Sequence, residues 1–211
     1  MVRMSNRGVD HDPLVEGFKV AGQMPSLWQG EARDLICAAN VLMERKKAAW
    51  RQHENMAAGR KEKDSSLFHA NLSLIMMLYG LAVENLVKGL LVAQGVDATS
   101  TGRFNEKLIG HDLPHLFDWA RIPMTPPDRR LLKQLSSTIG SGKYPVGLKP
   151  PGNPRTVKLG FVYPRDVQHI GHLLQTLDTS LRDARPEDAL PEINLLALCR
   201  HSPVGQALSQ T

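Results

Sequence analysis

Leu67 to Gly95 reads LFHANLSLIMMLYGLAVENLVKGLLVAQG. Phe68, Leu72, Ile75, Met76, Tyr79, Val83, Leu86, Leu90 and Leu91 recur at helical spacing and mark a broad buried stripe. Ser65 or Ser66 can cap its start, and Gly95 can end it in the left-handed conformation. Gly80 and Gly89 each cost about 1 kcal/mol of helix propensity relative to alanine. They are expected where a neighbouring helix packs close. Met76 and Met77 read as adaptable core packing. This stretch is the clearest helix in the sequence.

Working outward, Ser26 and Gln29 have capping-box spacing. Leu27, Leu35, Ala39, Leu42, Met43 and Trp50 continue at about helical period, so a helix is expected to about Glu54, with a polar link from Asn55 to Asp64. Val96 to Gly110 reads as loop. A short helix is expected from Asp112 over Leu113 to Ala120, with Pro114 in its first turn. Another is expected from Pro127, capped by Thr125, to about Ile139. Gly140 to Gly160 is rich in Gly, Pro and basic residues and reads as a long exposed loop. The last helix is expected over Pro164 to Asp183, with Val167, Ile170, Leu173, Leu174, Leu177 and Leu181 on its apolar face. No repeat and no strand alternation appears, so the expectation is a four- to five-helix bundle. It divides into an N-terminal arm over 1–24, partly disordered, a helical domain over 25–185 and a tail over 186–211. The tail holds one short apolar piece, Ile193 to Leu198.

The chain has 211 residues and a net charge of +5, a balance that suits an acidic partner such as RNA. The basic runs Glu44–Lys47 and Arg60–Lys63 contain acids and read as solvated helix faces. No uninterrupted apolar run reaches 18 residues, so no membrane association is expected. The first 24 residues lack the apolar stretch of a secretory signal. Cys37 and Cys199 stand outside any CxxC motif and read as reduced thiols in a cytoplasmic protein. His111 and His115 have the spacing of two metal ligands on a helix, but a third ligand is lacking, so neither metal nor cofactor is expected. Gly140-Ser141-Gly142-Lys143 is no phosphate loop: it lacks the earlier Gly and the Ser/Thr after the Lys, and it follows a helix.

Three stretches together resemble the HEPN superfamily of helical prokaryotic proteins. Tyr79 to Leu91 looks like the family's second-helix pattern, with Glu84 and Lys88 four residues apart within an apolar face. Gly110-His111-Asp112-Leu113, followed by Leu116, looks like the "HDL" start of the next helix. Lys143-Tyr144-Pro145 looks like the family's Arg-Tyr-Pro, with Lys in place of Arg. The order and spacing agree over about Ser65 to Arg185. The resemblance implies a homodimeric helical bundle. It also implies one of two functions: a metal-independent endoribonuclease of toxin–antitoxin or defence systems, or an inactive binding module. An antitoxin or a nucleotidyltransferase would be the partner protein. Glu84, Lys88, His111 and Asp112 are expected in structural roles near the cleft.

Active members carry an Arg, often followed by a polar residue, then a His after four to six residues. Arg165-Asp166-Val167-Gln168-His169-Ile170-Gly171-His172 fits, with six residues between Arg165 and His172. Helix geometry puts Arg165, His169 and His172 on one stripe. Metal-free RNA cleavage needs a base for the ribose 2′-hydroxyl and a fixed cation where phosphorane charge develops. Histidine suits the first role and arginine the second. Arg165, Asp166, His169 and His172 are therefore the candidate catalytic residues. Lys143, Lys149, Arg155 and Lys158 in the long loop are the candidate RNA contacts.

Overall fold

The computed structural model describes residues 12–57, 59, 72–142, 165–195 and 197–198. Among these, every regular element is helical: α1 (Pro13–Gly22), α2 (Pro25–Ala57), α3 (Leu72–Ala93), α4 (Leu113–Trp119), α5 (Pro126–Gly142) and α6 (Arg165–Ala184), with short 3₁₀ turns at Glu106–Leu108 and Pro186–Asp188. The protein is all-α, as its periodicity predicts.

α3 is the central helix and packs against α2, α4, α5 and α6. That is why it is apolar on nearly every side: Ile75, Met76, Tyr79, Val83, Leu86, Val87 and Leu91 are all buried. It is long and apolar enough to cross a membrane, with a mean hydropathy of 1.6 over its best window, yet 78% of that window is buried inside the bundle. Glu84 and Lys88 interrupt its apolar run, which is why an unbroken stretch of membrane-spanning length is not seen in the sequence.

Both glycines of α3 sit where close packing is expected. A Cβ on Gly80 would lie 3.0 Å from Ile139 of α5. One on Gly89 would lie 2.8 Å from Cβ of Trp28 in α2 and 3.1 Å from Leu181 of α6. The neighbours are helices of the same chain, so these glycines give no argument for a dimer. Gly95 has φ +93°, and Val96 N–H donates to the Leu91 carbonyl at 2.9 Å, the expected left-handed cap.

Two other local signals read as expected. Asp112 Oδ1 accepts from His115 N–H at 3.2 Å and caps α4. Thr125 and Asp128 cap α5 reciprocally: Thr125 Oγ1 accepts from Asp128 N–H at 3.3 Å, and Asp128 Oδ2 accepts from Thr125 N–H at 2.8 Å.

The start of α2 does not follow the capping-box expectation. The helix already includes Pro25, and Gln29 is buried. Its amide donates to Asp178 of α6 at 2.8 Å, and its carbonyl accepts from Leu190 N–H at 3.0 Å. Leu27, expected on the apolar stripe, is 47% exposed. Ala32, Ile36, Ala39 and Met43 carry the buried face instead. The stretch expected to be an arm holds α1 over Pro13–Gly22, capped by Asp12, which accepts from Leu14 N–H at 2.9 Å.

Asp178 is fully buried and collects Gln29, the Arg33 guanidinium at 3.0 Å and Arg182 at 3.7 Å. The tail docks nearby. Leu195 is buried, and Asn40 of α2 donates to the carbonyls of Leu195 at 2.9 Å and Leu198 at 3.1 Å. Tyr79 of α3 donates to the Asn40 oxygen at 2.8 Å. Cys37, one turn before Asn40, is disulfide-bonded, which corrects the reading of reduced thiols and removes the compartment argument built on it. The chain's other cysteine, Cys199, lies outside the described residues. Spacing along the chain could not find this, because the tail returns to α2 through tertiary contacts.

Candidate functional site

α5 stands between two solvent-open depressions. The one toward α6 has a volume of about 490 Å³ and is lined by Pro126, Pro127, Arg130, Arg165 and His169. Arg165 is the first residue of α6, and its side chain is 60% exposed. Its Nε donates to Asp166 Oδ1 at 3.1 Å, and Arg130 Nη2 lies 3.6 Å from the same oxygen. Asp166 is 1% exposed. One buried carboxylate thus anchors two guanidinium groups from two helices, and among the described residues only Nε of Arg165 is engaged.

His169 follows Arg165 by one turn, and its Nε2 lies 2.5 Å from Asp128 Oδ1. Burial pushes the Asp128 carboxyl upward, but hydrogen bonds from the Thr125 hydroxyl and amide, together with His169, outweigh it and hold the group below the ordinary aspartate value. An ionised carboxylate only accepts, so Nε2 carries the hydrogen. In the neutral ring Nδ1 then keeps its lone pair. The arrangement combines two cations with a held imidazole, which is what a phosphodiester and a proton to be removed require.

His172 does not join this group. It is exposed and lies outside the lining of the depression. Angle alone puts it on the Arg165 stripe, but seven residues of helix also advance about 10 Å along the axis. That carries it away from the start of α5, where Asp128 and Arg130 sit. Sequence spacing misses both of those residues because they come from another helix. The signal for Asp128 is its place three residues after Thr125, which marks a capping box and not a base partner.

The other depression, of about 590 Å³, lies between α4 and α5 and is lined chiefly by His111, His115, Asp118, Arg129, Lys133 and Ser137. Behind it, Lys88 Nζ donates to Glu84 Oε1 at 2.5 Å, and both side chains are 7% exposed. Glu84 Oε2 lies 2.8 Å from His111 Nδ1. Glu84, Lys88 and His111 therefore do come together, and Asp112 beside them caps α4. Among the described residues no group of three or more His, Cys, Asp or Glu is placed to hold a metal. Lys143, Lys149, Arg155 and Lys158, with the Lys143-Tyr144-Pro145 motif, lie outside the described residues.

No protein-family model, curated protein or solved structure matches this chain.

Proposed function

We propose that this is a HEPN-like protein that cleaves RNA without a metal from the depression between α5 and α6. The observation that supports this reading is the convergence of Arg165, Arg130 and the Asp128-held His169 on one open depression. His169 Nδ1 takes the proton of a ribose 2′-hydroxyl. The 2′-oxygen attacks the adjacent phosphorus, the bond from phosphorus to the 5′-oxygen breaks, and that oxygen leaves with a proton from the imidazolium. Arg165 and Arg130 neutralise the phosphorane oxygens. The products carry a 2′,3′-cyclic phosphate and a 5′-hydroxyl. Asp128 and Asp166 are positioning residues for the imidazole and the guanidinium groups. The protein acts as a homodimer in this reading. Light scattering at about twice 23.4 kDa is then the expected mass.

The second reading is an inert HEPN-like module that binds an antitoxin or a nucleotidyltransferase. It is favoured by one observation: His172 stands apart from the depression that holds Arg165. The deciding experiment follows one RNA in EDTA with the wild type, Arg165→Ala, His169→Ala and His172→Ala. Losses on the order of a hundredfold are expected for the first two variants. Equal activity of wild type and His169→Ala removes the enzyme and leaves the module.

A further inference from the structure

Arg129 and Arg130 are consecutive residues of α5, and each serves a different depression. Arg130 lines the one toward α6, and Arg129 lines the groove toward α4. Consecutive helix positions differ by about 100°, so the two guanidinium groups leave the exposed side of α5 in different directions, one toward each depression. Lys133, one turn after Arg129, also lines the groove and is exposed. It makes no ion pair with the described residues. The carboxylates at the groove are already engaged. Asp118 takes a single nitrogen of Arg129, Nη2, at 3.0 and 3.3 Å, so the rest of that guanidinium stays available. Asp112 caps α4. On the α4 side, the His111 ring is fixed through Nδ1 by buried Glu84, and His115 offers an exposed flat ring of the kind on which unpaired bases stack.

We infer that the α4/α5 groove is a second phosphate subsite for the single-stranded RNA that enters the α5/α6 depression. The strand crosses the first two turns of α5, with Arg129 and Lys133 holding a phosphate that flanks the scissile one and His115 meeting a base. The inference rests on the RNA reading of the first depression, and it makes the substrate an unpaired segment several nucleotides long.

The test is fluorescence anisotropy with a labelled 2′-O-methyl octanucleotide, which has no free 2′-hydroxyl and is not cleaved. The proteins are wild type, the double variant Arg129→Gln/Lys133→Gln, and Arg165→Ala. Both altered positions of the double variant are exposed, and circular dichroism checks that its helices are intact. The double variant should bind about tenfold more weakly, and its plot of log affinity against log salt should flatten by about 0.7 for each phosphate that is no longer neutralised. Unchanged binding and slope in the double variant, with Arg165→Ala weakened, overturns the subsite and leaves the first depression's reading intact. A wild type that binds no octanucleotide overturns both. Binding that depends on Arg129 and Lys133, with no cleavage of the unmodified octanucleotide, supports the subsite and removes the catalytic reading.

Discussion

Two histidine–carboxylate pairs flank α5, and they differ in where the carboxylate lives. Glu84, facing His111, is buried in the central helix and is neutralised by Lys88 from the same helix. Asp128, facing His169, belongs to a helix cap at the rim of a depression and is held by Thr125. The first pair ties α3 to the start of α4. A charge at that depth is costly unless it is matched, so its first duty is to the fold. The second pair sits where its loss uncovers no buried charge. It can be tuned for orientation, and a ligand can reach it.

The largest expected effect breaks the buried pair. Lys88→Ala leaves Glu84 buried without its ammonium and should lower unfolding stability by about 3–5 kcal/mol in chemical denaturation, the scale for orphaning a buried ion. Glu84→Gln/Lys88→Met should recover most of that. A loss under about 1 kcal/mol in Lys88→Ala would mean that the pair is not buried in solution and that the contrast fails. Next come the histidines. Under the proposed RNA cleavage, His169→Ala should cut kcat by about a hundredfold or more. His111→Ala should leave kcat within about threefold and act on KM and on the melting temperature. Equal kcat losses would erase the division of labour.

Smaller again is Asp128→Asn, which removes the ionised cap partner and should cost about 1 kcal/mol. The Asp128 carboxyl is held below its ordinary value, so its stabilising contribution is present above the unfolded-state value and fades as pH falls through the folded one. The stability gap between wild type and Asp128→Asn should therefore shrink below about pH 4. Denaturant titrations at neutral and acid pH check this, and a gap that widens in acid contradicts it. The smallest change concerns the seat of α5 on α3. Gly80→Ala brings a Cβ to 3.0 Å from the flexible end of Ile139. The gain in helix propensity, about 1 kcal/mol, should nearly cancel the crowding, leaving a melting temperature within a few degrees of wild type.

The parts legible in the sequence are those decided locally. The apolar breadth of α3, the left-handed Gly95 and the caps at Asp112 and Thr125 depend on residues within one turn. The start of α2 departs from the local rule because Asp178, far along the chain, recruits the Gln29 that the rule assigns to Ser26. Asp178 itself stands among the apolar residues of α6 and gives no hint in sequence of the buried cluster it organises. The candidate site is half legible. Arg165, Asp166 and His169 share one helix, and their spacing finds them. Asp128 and Arg130 reach the same place only because α5 packs beside α6, and the angle that puts His172 on their stripe carries no information about distance along the axis.

The central position of α3 has a kinetic consequence. Because α2, α4, α5 and α6 all close on it, opening any of them uncovers apolar surface on the same helix, so these elements share one opening reaction. Their innermost amides should exchange with deuterium at nearly one common free energy, that of global unfolding. α1 has no buried residue, and its Leu14 and Phe18 face solvent. Its amides should exchange orders of magnitude sooner, and a protease that trims it should leave the remaining helices closed around α3.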